Sequence, residues 1–177
     1  MRDFGGPFPV GRTRGGRLSR FRPWVLLIVP LAAILFQVYV PLFFEFASYI
    51  AAPLLVTVYF AVMRRNPIYG TFVGAGIGLV QDSLSHHPLG MFGIAKTLVG
   101  YAAASVGMRF DVGHPAVRFG LGFLFFLFHE TVFWLLNLTL LGQNPETDLP
   151  RTLLVGLLNA VVTVPLFYFL DKLKETG

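Results

Sequence analysis

The chain contains no cysteine, which excludes disulfides, thiolate metal centres, iron–sulfur clusters and cysteine nucleophiles. Charge is scarce as well: Asp, Glu, Lys and Arg make up 13% of the 177 residues, about half the share of roughly 25% in a soluble domain. Hydrophobic residues fill the space, at 55% of the chain with 19 Phe, and 19 Gly besides. With a mean hydropathy of +0.68 at 19.6 kDa, so short a chain cannot hide this much apolar surface in its own core. A water-soluble globule is excluded, and a multi-pass membrane protein is the class that remains.

The net charge of +5 does not indicate nucleic acid. Arg2, Arg12, Arg14, Arg17, Arg20 and Arg22 lie in a Gly/Pro-rich stretch, 1–23, and the other basic residues sit singly or in pairs between apolar runs. That pattern orients a chain in a bilayer better than it builds a phosphate-binding face.

Six apolar runs follow the tail. The first, 24–44, is uncharged and long enough to span, with no small-residue cleavage site after it. The second, 46–63, contains Pro53; a helix starting near Ala52 would cover only about 18 Å, short of a hydrocarbon core of about 30 Å. Runs near 68–85, 91–107, 119–141 and 153–170 complete the set, leaving 171–177 as a charged tail. The expected architecture is an all-α bundle of six transmembrane helices over 24–170, between two cytoplasmic tails. Cytoplasmic termini put Arg64, Arg65, Arg109, Arg118, Lys172 and Lys174 on the inner side and only Arg151 on the other, apart from the intramembrane Lys96. The positive-inside rule is then strongly satisfied. Loops near Glu45, His86 and Glu146 fall outside.

Gly70, Gly74 and Gly78 recur every four residues, with Asp82 at the next step. Each step drifts about 40° around a helix of 3.6 residues per turn, so the glycines form a slowly winding stripe that admits another backbone. The stripe serves either packing within this chain or docking of a partner's helix. Gly74 to Gly78 is not a dinucleotide loop, because no strand precedes it. Asp82 lies about 25 Å beyond Arg65 along a helix, at a depth comparable to Lys96 on the returning run. A buried carboxylate needs a partner, water or a proton. An Asp82–Lys96 pair pinning the hairpin, a solvent-connected Asp82 and a proton or ion relay all meet that need.

His129-Glu130 in the fifth run resembles the start of a zinc-protease motif, but position 133 is Phe133 where a second His would be required. Adjacent His86 and His87 lack a third ligand nearby. No catalytic triad can be drawn, no metal site stands out and no cofactor is expected. Glu130 and Asn137 share one helix face, and Thr152, Gly156, Asn159 and Thr163 form a stripe on the last run; these faces are expected to meet and share hydrogen bonds, or to line a substrate pocket.

The run from Pro67 to Gly90, about an eighth of the chain, contains Gly78-Leu79-Val80-Gln81-Asp82 and then Pro88-Leu89-Gly90. It resembles the rod shape-determining protein MreD family, in which a glycine-punctuated helix ends Gly-Leu-x-x-Asp before a short loop and Pro-Leu-Gly. The resemblance implies a bacterial inner-membrane protein of the cell-elongation, peptidoglycan-synthesising machinery. Its implied partners are the single-span protein MreC and, indirectly, RodA, a penicillin-binding transpeptidase and MreB. The implied fold is similar to the substrate-binding component of energy-coupling-factor transporters.

Two functions follow. The first is a non-enzymatic scaffold whose glycine-lined groove receives an MreC-like helix, with Gly70, Gly74, Gly78, Asp82, Pro88, Gly90, Lys96 and Glu130 in partner-binding or structural roles. The alternative is a vitamin-binding transporter component lined by Asp82, Lys96, His86, Glu130 and Asn159. Against it, the first run offers only Ala32 and Ala33 as small residues for docking to a coupling subunit.

Overall fold

The computed structural model describes residues 23–85, 88–143 and 148–174; the basic tail, His86, His87 and Glu146 lie outside them. Six α-helices appear in order: α1 (Pro23–Tyr39), α2 (Ala52–Arg64), α3 (Pro67–Leu84), α4 (Met91–Arg109), α5 (Pro115–Leu140) and α6 (Leu149–Asp171). Among the described residues, five stretches are long and apolar enough to cross a membrane, and α3 is not one of them. The reason lies in its composition. Gly70, Gly74, Gly76 and Gly78, with Thr71, Gln81, Asp82 and Ser83, dilute the hydropathy of an 18-residue helix that spans about 27 Å.

The second helix, of 13 residues, forms the centre of the bundle. Leu54 through Val62 are each no more than 2% exposed, as expected of a helix that is apolar on all sides. Every other helix packs against α2. It starts at Ala52 with Pro53 in its first turn, where a missing N–H is harmless. Two 3₁₀ segments, Val40–Leu42 and Glu45–Tyr49, precede it; Glu45–Arg64 together reach spanning length. Around this centre, α3 and α4 form the most extensive helix pair, followed by α5 and α6.

Helix ends are set by local chemistry. Asn66, His114 and Asp148 accept the backbone N–H of Tyr69, Ala116 and Arg151 respectively, and each is followed by a proline in the first turn. This is why α5 and α6 begin at Pro115 and Leu149, about one turn before the apolar runs do. Arg65, at φ 51°, makes the tight α2–α3 turn. Outward faces carry large apolar residues such as Leu27, Ile68 and Phe72, which suits a lipid-facing surface. The protein is an all-helical membrane protein.

Candidate functional site

The glycine stripe is filled from within the chain. A Cβ added at Gly70 would run into the Gly100 carbonyl, one at Gly74 into the Lys96 carbonyl, and one at Gly78 into Phe92 and Gly93. All three glycines are buried, so the groove expected for a partner's helix is occupied by α4. Close backbone approach is indeed what the stripe provides, but between two helices of one hairpin. The sequence reading missed the complementary pattern on α4. Gly93, Gly100 and Gly107 recur every seven residues: Gly100 faces Gly70, Gly93 packs near Leu79 and Asp82, and Gly107 meets Val62 of α2. The spacing alone could have revealed it.

Asp82, 1% exposed, does not pair with Lys96. Its Oδ2 accepts the backbone N–H of Gly90 at 3.0 Å and of Gly93 at 2.9 Å, while Oδ1 accepts that of Phe92 at 3.0 Å. The first N–H groups of a helix have no partner inside it, and here a carboxylate from the preceding helix supplies acceptors and complements the positive helix terminus. The loop is built for this. Pro88 accepts from Met91 at 3.5 Å, and Gly90 adopts φ 100°, a conformation that disfavours any residue with a Cβ. The Asp…Pro-Leu-Gly pattern is therefore a clamp that closes the α3–α4 hairpin.

The His129/Glu130 region also differs from expectation. Among the described residues the polar contact of Glu130 is with its neighbour, its Oε1 3.4 Å from His129 Nδ1. Asn137 turns back to the Phe133 carbonyl. Asn159 instead ties down the segment before α2: its Nδ2 donates to the Tyr49 carbonyl at 2.7 Å, and its Oδ1 accepts from the Ala51 N–H at 2.8 Å. Among the described residues no hydrogen bond joins the two stripes; short side chains bring them together instead, with Gly122 of α5 against Thr163 of α6.

Between these elements, at the end of the bundle that carries the Glu45–Tyr49 segment and the α3–α4 loop, lies a cavity of about 340 Å³ to which all six helices contribute. Lys96 and Glu130 line it, and Asp82 and Asn159 do not. His129 stacks with Phe92 and Phe133, its ring centroid 6.1 Å from each, on one wall. No cluster of His, Asp and Glu able to hold a metal ion occurs among the described residues.

The opposite end is closed by an ionic cluster that has no periodic signature in the sequence. Arg118 of α5 reaches Asp171 of α6 at 2.5 Å and also donates from Nε to the Val112 carbonyl at 2.9 Å. Asp171 receives Lys174 at 2.5 Å and the Tyr59 hydroxyl at 3.0 Å. This cluster joins α2, α5 and α6, and it places Arg118 and Lys174 at the same end as Met63 and Arg65.

Neither a curated protein nor a solved structure matches the chain at a significant level. The hairpin clamp nonetheless lies inside a longer correspondence, for the rod shape-determining protein MreD family model matches residues 19–173. The chain belongs to the MreD family.

Proposed function

We propose that this protein is a non-enzymatic scaffold of the cell-elongation machinery, held in the bacterial inner membrane with both termini in the cytoplasm. The carrying observation is family membership across nearly the whole chain, in a fold made almost entirely of membrane helices. All six helices cross the bilayer in this reading, α3 being carried across by its pairing with α4. The arrangement is then similar to the substrate-binding component of energy-coupling-factor transporters. The 1–23 and 171–177 tails lie in the cytoplasm.

The partner in this reading is an MreC-like single-span protein, linked through it to RodA, a penicillin-binding transpeptidase and MreB. Because α4 fills the Gly70/Gly74/Gly78 stripe, the partner's helix sits on the outward side of the same hairpin. Ala75, Leu79, Gly93 and Thr97 line an outward depression of about 290 Å³ there, and Gly76 has nothing within 4 Å of an added Cβ. In lipid, small residues permit the close packing that drives helix association.

Co-purification from detergent extracts tests this. Gly76→Leu is expected to leave insertion and thermal stability intact while abolishing capture of the MreC-like protein, and cells carrying only this variant should lose rod shape. Unchanged capture and unchanged cell shape with Gly76→Leu would overturn the assignment.

A further inference from the structure

We propose that the central cavity is a binding site for a hydroxylated phosphate anion of glycerol-phosphate type, recognised by Lys96, Gln37, Gln81 and His129. Lys96 is only 2% exposed, and among the described residues its Nζ makes no hydrogen bond or ion pair. Its close neighbour is the face of the Phe92 ring, 4.4 Å from the centroid. Asp82 and Glu130 attract it only through space; a buried ammonium with no direct acceptor is costly, and an anion entering the cavity supplies one.

Three residues of the same lining each carry a side-chain polar atom buried without a hydrogen-bond partner: Gln37 Oε1, Gln81 Oε1 and His129 Nε2. Gln81 is 7% exposed and His129 5%. With His129 donating from Nδ1 toward Glu130 at 3.4 Å, its Nε2 is an acceptor. On the lining the cations Lys96 and Arg151 outnumber the single carboxylate, Glu130, and with three unsatisfied acceptors beside them the fitting ligand is an anion that also carries hydroxyl donors. Buried polar groups are rarely left unmatched, and four around one cavity make a common partner the economical account.

Size and position narrow the class. About 340 Å³ lies at the small end of ligand sites, which run from about 300 to 1,000 Å³. The site opens at the end of a membrane bundle, among the segments that join its helices. That level is where a bilayer presents phosphodiesters, and where soluble phosphates reach the surface. The Phe92, His129 and Phe133 rings, stacked on one another with planes within 19°, line one side of the cavity with apolar surface for a carbon backbone. A phosphate with adjoining hydroxyls fits both the donors and the wall. Either the headgroup of phosphatidylglycerol or free glycerol 3-phosphate presents it.

The test uses the purified full chain in detergent, titrated separately with phosphatidylglycerol, phosphatidylcholine and glycerol 3-phosphate, with binding read by native mass spectrometry and by the shift in unfolding temperature. Phosphatidylcholine has the phosphodiester but no free hydroxyl, so it should bind weakly and without saturation. One molecule of phosphatidylglycerol or of glycerol 3-phosphate should bind saturably and raise the unfolding temperature; which of the two does so identifies the source. Lys96→Met and Gln81→Leu should each weaken binding about tenfold or more, as loss of a charge-assisted or buried hydrogen bond does. Lys96→Arg should retain it. Without ligand, Lys96→Met should unfold no earlier than the natural chain, because it removes an unpaired buried charge. Absence of saturable binding by both hydroxylated probes, or undiminished binding by Lys96→Met and Gln81→Leu, would overturn the proposal. Both results are independent of the partner-capture experiment above.

Discussion

The Asp82 carboxylate and the Phe92 backbone N–H meet at 3.0 Å across the α3–α4 loop. With Gly90 and Gly93 bound to the same carboxylate, the start of α4 is capped by the end of α3. Neither helix can leave the other without stranding these groups, and a buried polar group left unpaired costs about 1–3 kcal/mol.

Asp82→Ala should therefore destabilise the protein by at least about 3 kcal/mol, since hydrogen bonds to a charged group contribute about 1.5–3 kcal/mol each and do not add fully. Asp82→Asn keeps one acceptor oxygen and should fall between. Combining Asp82→Leu with Lys96→Met should restore no more than the sum of the two single changes predicts, because the two side chains share no hydrogen bond or salt bridge. Unfolding temperatures in detergent decide the matter; recovery well beyond that sum would restore the ion pair and overturn the clamp.

Substitutions along α3 should divide sharply by face. Gly74→Ala forces a Cβ into the Lys96 carbonyl, and overpacking of this kind costs about 1–3 kcal/mol. Gly76→Ala meets open space and should be neutral or gain up to about 1 kcal/mol from helix propensity. Equal losses at both positions would mean that the helices do not pack as described.

Much of this was legible in the sequence. Hydropathy located all six helices, and the Gly70/Gly74/Gly78 spacing announced a close backbone approach. The partner across that approach was not legible, because periodicity on one helix says nothing of whose backbone it meets. Asp82 and Lys96 are near enough for the carboxylate to act on the ammonium through space. What spacing could not supply was the conformation of the loop, which turns the N–H groups of Gly90, Phe92 and Gly93 onto Asp82 and leaves Lys96 to point elsewhere. Arg118 and Asp171 stand 53 residues apart with no periodic relation, so only the assembled bundle reveals their contact.

That contact is the third test. Arg118 and Asp171 side chains are 11% and 24% exposed, a part-buried pair, so removing one member should cost between the about 1 kcal/mol of a surface pair and the about 3–5 kcal/mol of a fully buried one. Arg118→Ala should fall at the lower end, because Lys174 and Tyr59 still hold Asp171. Tyr59→Phe should cost about 1.5–3 kcal/mol through one lost hydrogen bond to a charge. Arg118→Met with Asp171→Leu should be less harmful than the sum of the two. Strict additivity, measured by thermal unfolding, would show that the pair contributes nothing.

The final prediction concerns orientation, and the missing cysteines make it simple to test. Arg65, Arg118 and Lys174 line one shared depression, and Arg64 and Arg109 end α2 and α4, which meet where Gly107 packs on Val62. At the other end Arg151 lies beside Tyr49, its guanidinium 5.6 Å from the ring. Basic residues near span ends are retained on the cytoplasmic side, so the Arg118 end should face inward and the cavity end outward. Ser48→Cys and Gly113→Cys each introduce the sole thiol of the chain at an exposed position, one at each end. A membrane-impermeant maleimide should label Ser48→Cys on intact spheroplasts and Gly113→Cys only on inside-out vesicles. Because the two ends belong to one packed bundle, the opposite pattern would invert every loop at once, placing the cavity and the phosphate it is proposed to bind on the cytoplasmic face.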